Sequence, residues 1–165
     1  MMPITHNSPH YIDVQNQSDP IDIAEKDFND WANTTLQTLK CAPAELSLCI
    51  VDASTIQTLN HTYRQQDKPT NVLAFPSELP DYVALEYRFL GDVILCAEVI
   101  YREAQEFNKP LDAHWAHIVV HGILHLLGFD HINDEDAKRM QAQEIIILDI
   151  LGFASPYLHE DTYIE

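Results

Sequence analysis

Four histidines recur at three- and four-residue intervals in the stretch Ala113 to His131, AHWAHIVVHGILHLLGFDH. Wound as an α-helix, the stretch places His114, His117, His121 and His125 within an arc of about 80°. Trp115, Ile118, Val119, Val120, Ile123, Leu124, Leu126 and Leu127 cover the remaining directions, which predicts a helix buried on most sides whose polar edge is histidine. Gly128 then offers the left-handed stop that ends many helices, so that Asp130 and His131 turn back toward the stripe. His121 and His125, one turn apart, can aim ring nitrogens at a point about 2 Å away, and His131 reaches the same point from outside the helix. Three neutral imidazoles leave a fourth coordination position open, as catalytic rather than structural zinc requires. The expected ligands of one zinc ion are therefore His121, His125 and His131. His114 and His117 lie too far up the axis to share that ion with His131, and either line the cleft or donate to substrate. Asp130 has the right type to orient a ligand imidazole, or else caps the turn after the helix.

The H-x3-H-x2-G-x2-H spacing also occurs in the metzincin proteases, where a glutamate beside the first ligand is the general base. Gly122 stands at that position, so a peptidase built on this helix would lack its base. The longer arrangement H-G-x-L-H-L-x-G-x-D-H, running from His121 to His131, resembles the YbeY family of bacterial endoribonucleases, the rRNA maturation factors. A second stretch agrees with it. Leu59 to Pro76, LNHTYRQQDKPTNVLAFP, is similar to that family's L-N-x-x-Y-R-x-x-D-x-P-T-D-V-L-S-F-P run, with Asn71 and Ala74 departing from it. The resemblance extends from about Leu59 to the final helix. It implies a zinc-dependent, single-strand-specific endoribonuclease acting at the 3′ end of small-subunit rRNA and in ribosome quality control. RNA, the ribosome or ribosomal proteins are the implied partners, without DNA or membrane, and Arg64 matches a functionally important arginine. A guanidinium is well shaped to hold two oxygens of a phosphorane-like transition state, which makes Arg64 the catalytic candidate. A non-catalytic ribosome-assembly factor with structural zinc and a metallopeptidase-like hydrolase are the alternative classes.

The elements that must position these groups read as α+β: a small mixed sheet packed with about five helices around a central histidine-bearing helix with the metzincin-like motif. Strands are expected at Tyr11 to Val14, Ala44 to Val51, Val72 to Phe75 and Leu90 to Leu95. A helix opened by Ser18 or Asp19 with Pro20 runs to about Leu39, a second is capped by Ser54, and a third covers Ala97 to Phe107. Asn108 and Pro110 announce the histidine helix, and Asn133 to Asp136 caps a last helix that ends at Gly152. A turn is expected near Pro80 and Tyr82, and Gly91-Asp92-Val93, as a turn into the last strand, is also similar to the YbeY family.

At 165 residues and 46% hydrophobic content the chain fits one domain over residues 1–165, with 1–20 peripheral. No apolar run approaches the ~20 residues of a membrane span. The N-terminus has neither a basic leader nor an apolar core segment, so a cytoplasmic location is expected. Cys41, Cys49 and Cys96 are odd in number and widely spaced, as expected of reduced core thiols. A net charge of −17 with only nine Lys and Arg cuts against a nucleic-acid substrate held by a broad basic face, although Arg64 and Lys68 stand together in one polar stretch.

Overall fold

The computed structural model describes residues 10–79 and 87–157, so the turn expected near Pro80 and Tyr82 lies outside the described residues. In chain order the elements are β1 (Tyr11–Asn16), α1 (Glu25–Thr38), β2 (Ala44–Val51), α2 (Ala53–Arg64), β3 (Val72–Pro76), β4 (Arg88–Cys96), α3 (Ala97–Glu106), α4 (Leu111–Leu126) and α5 (Asp134–Ile150). The four strands form one mixed sheet in the order β1-β2-β4-β3, in which β3 alone runs antiparallel to its neighbour. The architecture is the expected α+β arrangement.

Strand alternation sorts the sheet's side chains into two layers. Leu46, Leu48, Ile50, Val93, Leu95 and Val72 face the main core, where they meet Phe28, Trp31 and Leu36 of α1 and the apolar residues of α4. Val51, Leu73 and Cys96 face the opposite side and pack against Ile56 of α2 and Val99 of α3. Both sheet faces are thus covered, which is why β4 ends in the continuous apolar run Val93 to Cys96. The three cysteines are free thiols.

Three local expectations are corrected. Helix α1 begins at Glu25 rather than near Pro20. The Asn16 side chain accepts from the Ser18 amide at 2.9 Å and donates to the Asp19 carbonyl at 3.0 Å, committing that segment to a turn instead of a helical start. The cap of α2 is Asp52, which accepts from the Thr55 amide at 2.8 Å, and not Ser54, whose hydroxyl bonds to Asp52. Gly91 lies inside β4 rather than in a turn leading to it: the register with β2 passes from Phe89 to Gly91, leaving Leu90 as a bulge. Asn133 does cap α5, its side chain accepting from the Asp136 amide at 2.8 Å.

Helix α4 is the molecule's central object: twelve of its residues, His114 to Leu124 and Leu126, are buried. It packs tightly on the sheet at Gly122, where an added Cβ would lie 2.7 Å from Val93 Cγ1 and 3.1 Å from Val72 Cγ2. Gly91 sits one layer away with φ of +136°, and a Cβ there would meet the Phe75 carbonyl oxygen at 2.2 Å. Strained backbone and a clash with a neighbouring strand act together at this position. Gly91→Ala should therefore destabilise the fold by about 2 kcal/mol or more, read as a lowered urea midpoint at constant m-value.

Candidate metal centre

Helix α4 ends through a pair of hydrogen bonds that aim the chain back at its own histidines. The Gly128 amide donates to the His125 carbonyl at 3.1 Å and the Phe129 amide to the Leu124 carbonyl at 3.0 Å, with Gly128 at φ of +98°. These are the two bonds of a Schellman stop. The reversal carries His131 to a position where its ring centroid lies 5.5 Å from that of His121 and 5.2 Å from that of His125. One ring nitrogen from each of His121, His125 and His131 then falls within 4.8 Å of the others. Their exposure is graded, from buried His121 through half-buried His125 to exposed His131, so the group opens to solvent on the loop side.

The tautomers follow from partners that can only accept. His125 Nδ1 lies 3.0 Å from the Phe129 carbonyl oxygen, so it must carry the proton. His121 Nδ1 lies 2.8 Å from Glu144 Oε2. Burial pushes the Glu144 carboxyl up, but the hydrogen bonds it accepts from His117 and His121 outweigh that and hold the carboxyl below its usual range. A carboxylate is thus the acceptor, and His121 Nδ1 is the donor. Both Nε2 atoms are left as lone pairs, and they face one another at 3.1 Å. Two lone pairs at that distance repel unless a cation or a shared proton lies between them. Burial and the neighbouring His121 and His131 lower the His125 pKa to about 4, which disfavours the proton. A donor set of neutral imidazoles, held by outer hydrogen bonds on the far ring nitrogen, fits a divalent transition metal. The cluster could hold such an ion.

Glu144 was not visible as a functional residue in the sequence reading. Its signal was present: Met140, Glu144, Ile147 and Leu148 share the buried stripe of α5, and a carboxylate on such a stripe needs a partner. Beyond His121, Glu144 receives the Tyr157 hydroxyl in a short hydrogen bond and lies 3.4 Å from His117 Nε2. Burial, followed by the Glu144 charge, raises the Tyr157 pKa and keeps the phenol protonated as a donor. Asp130 does not orient an imidazole; it accepts from the His131 main-chain amide at 2.7 Å and so shapes the turn.

His114 and His117 stand on the same stripe but outside the three-nitrogen group. His114 Nε2 binds Glu103 Oε1 at 2.9 Å, and Glu103 also takes both bonds of the Asn71 amide, at 3.1 and 3.2 Å. An aspartate at position 71 would set a second carboxylate against Glu103, whereas the amide of Asn71 is a donor there. His117 is buried and held neutral, since desolvation lowers its pKa more than Glu144 raises it.

Arg64 closes α2, and it lines the same cleft of about 470 Å³ as His125, His131 and Asp130. Its Nη2 donates to the Ala74 carbonyl at 2.8 Å, and its guanidinium carbon sits 4.9 Å from the centre of the Phe75 ring. The contact at position 74 uses main chain, so the Ala74 side chain is indifferent to it. Among the described lining residues Arg64 is the one permanent cation. The peptidase alternative loses its remaining support here, because a glutamate at position 122 would have to enter the packed contact with Val93 and Val72.

The family model described as Endoribonuclease YbeY matches residues 13–152. The chain belongs to the YbeY family. An Endoribonuclease YbeY of Legionella pneumophila (strain Corby) is 46% identical over 157 residues, covering 94% of this chain and 99% of that relative. Another from Colwellia psychrerythraea is 47% identical over 155 residues, covering 92% of this chain and 99% of its own length. The solution structure of TM1509 from Thermotoga maritima superposes with a TM-score of 0.57 at 25% identity, covering 84% of this chain and 87% of that one. Both motifs singled out in the sequence, Leu59 to Pro76 and His121 to His131, fall inside the YbeY match.

Two outcomes follow for this YbeY-family site. Glu144→Gln should weaken metal binding about 10- to 100-fold, measured by competition with a chromophoric chelator, because the amide cannot accept from His121 and Tyr157 as an anion does. The metal-free protein should lose stability as pH falls from about 6.5 toward 4. The sign follows from the lowered His125 pKa: the unfolded chain takes up the proton first, so protonation favours unfolding, and the stability is complete only above the unfolded value. Melting temperatures across that range check it.

Proposed function

We propose that this protein is an endoribonuclease in which His121, His125 and His131 hold one zinc ion and Arg64 grips the scissile phosphate. The observation that carries the reading is that His125 and His131 of the three-nitrogen group line one cleft with the guanidinium of Arg64. The curated relatives named as endoribonucleases support it across nearly their whole length. Zinc is preferred because three neutral imidazoles with an open side are its catalytic donor set. When bound, it supplies a Lewis acid for a phosphoryl oxygen and lowers the pKa of its water toward about 7.

The chain's own residues do the rest. Glu144 and the Phe129 carbonyl fix the tautomers and ring planes of His121 and His125, so that both Nε2 lone pairs converge. Arg64 spends donors on the Ala74 and Tyr63 carbonyls, which anchor it, and retains others of its five for the non-bridging oxygens of a phosphate. Negative charge gathering on those oxygens in the transition state strengthens these contacts. As the resemblance implies, the substrate is single-stranded precursor rRNA at the 3′ end of the small-subunit RNA, with a role in ribosome quality control in the cytoplasm. No helix among the described residues is long and apolar enough to cross a membrane. The acidic chain, with one cation in the cleft, is what favours a non-catalytic assembly factor as second reading.

His125→Ala should lose the stoichiometric zinc measured by elemental analysis, and with it cleavage of an rRNA fragment. Arg64→Ala should keep zinc and melting temperature while losing about 2 to 4 kcal/mol of transition-state stabilisation in single-turnover cleavage. Arg64→Lys should recover part of that loss, since a point charge cannot reproduce two-pronged contact. Zinc-loaded wild type that leaves single-stranded rRNA intact would transfer the assignment to the assembly reading.

A further inference from the structure

The ribonuclease reading leaves a physical problem. A protein of net charge −17 attracts RNA poorly, and the cleft offers Arg64 as its one permanent cation among the described lining residues. Neutralising phosphates with Lys and Arg is the usual source of affinity for nucleic acid, and here that source is nearly absent. The other general source is uncharged: nucleobases stack on aromatic side chains, largely without regard to sequence.

Such side chains lie beside Arg64. Tyr63 is 56% exposed, on a helix that buries Ile56 two turns earlier. Its ring packs at 5.3 Å and 71° against Phe75, and Phe75 in turn carries the Arg64 guanidinium at 4.9 Å from its centre. Arg64 reaches into the cleft that holds His125 and His131. The Arg64 guanidinium and the Tyr63 ring thus share Phe75 as a support, which sets the exposed ring of Tyr63 beside the cleft wall that Arg64 forms. The arrangement is also firm, since Tyr63 belongs to α2, Phe75 to β3, and the Arg64 bond to the Ala74 carbonyl ties the two together.

We propose that Tyr63, braced by Phe75, is a stacking platform for one unpaired nucleobase of a single-stranded RNA whose adjoining phosphate lies at Arg64. The platform rests on the ribonuclease reading and deepens it. It supplies affinity that the chain's charge withholds. It also confers strand selectivity, because a base inside a duplex has both faces covered by its neighbours and cannot stack on a side chain. Recognition by a ring face implies weak base preference, and binding with few phosphate contacts implies a shallow dependence on salt.

The test is single-turnover cleavage of a short fluorescein-labelled RNA by the metal-loaded full chain, as a single strand and annealed to its complement, with protein concentration varied. Tyr63→Ala and Tyr63→Leu should each raise the half-saturating protein concentration about tenfold on the single strand while leaving the saturating rate within about twofold. Tyr63→Phe should match wild type, since the phenol oxygen is not what stacks. The preference of wild type for the single strand over the duplex should shrink in the Ala and Leu variants. Melting temperature and metal content should stay at wild-type values in all three, and Tyr63→Leu, which keeps an apolar partner for Phe75, carries the test if Tyr63→Ala melts lower. Half-saturation by Tyr63→Leu equal to that of wild type overturns the platform while leaving the ribonuclease reading intact. Failure of wild type itself to cleave either RNA overturns both.

Discussion

A carboxylate with no exposed surface organises the functional end of this molecule. Glu144 is 0% exposed, and an unpaired charge so placed would cost several kcal/mol. It is tolerated because His121 donates to one oxygen, Tyr157 to the other, and His117 lies alongside. The partners come from two separate parts of the chain: two from α4, one from the segment after α5. Satisfying the charge therefore docks α5 and the following segment onto α4. The same bond sets the tautomer of His121 and leaves its Nε2 bare on the cleft side. One electrostatic constraint thus serves packing and site chemistry together.

The opposite ring is set by main chain. His125 is fixed by the Phe129 carbonyl, and Phe129 is where it is because Gly128 turns the chain and the Phe129 amide closes onto Leu124. The helix stop and the imidazole orientation are one structure. Deeper along the stripe the chemistry changes character. His114 and His117 are bound to Glu103 and Glu144 and are buried, so the histidine row grades from core polar pairs to an open nitrogen group over three turns.

The cleft itself is assembled by the sheet. Strand β3, antiparallel at the edge, brings Ala74 and Phe75 under Arg64, and the bulge at Leu90 with Gly91 lets β3 and the end of α4 approach closely. Gly122 does the same for the middle of α4. Both glycines are conditions for nearness between a buried helix and two strands, and both act by lacking a Cβ.

Much of this was legible in the residues alone. Helical periodicity collects His114 to His125 on one stripe whatever lies around them, and Gly128 dictates a left-handed stop, so the convergence of His121, His125 and His131 followed from local geometry. The apolar run toward the end of β4 likewise marked a buried strand. Local rules failed where a side chain outcompeted them: Asn16 holds a turn where Pro20 suggested a helix start, and Asp52 rather than Ser54 reaches the Thr55 amide. Three matters were beyond any local reading. The carboxylate that orients His121 is Glu144, twenty-three residues away in sequence, and not neighbouring Asp130. Asn71, Glu103 and His114 form one buried network from three elements. The sharing of a cleft by Arg64, His125 and His131 depends on how α2 and β3 sit against the end of α4. Periodicity and turn chemistry act over a few residues and can be read from the chain, whereas the partner of a buried charge is chosen by desolvation, which is decided only when distant segments close around it.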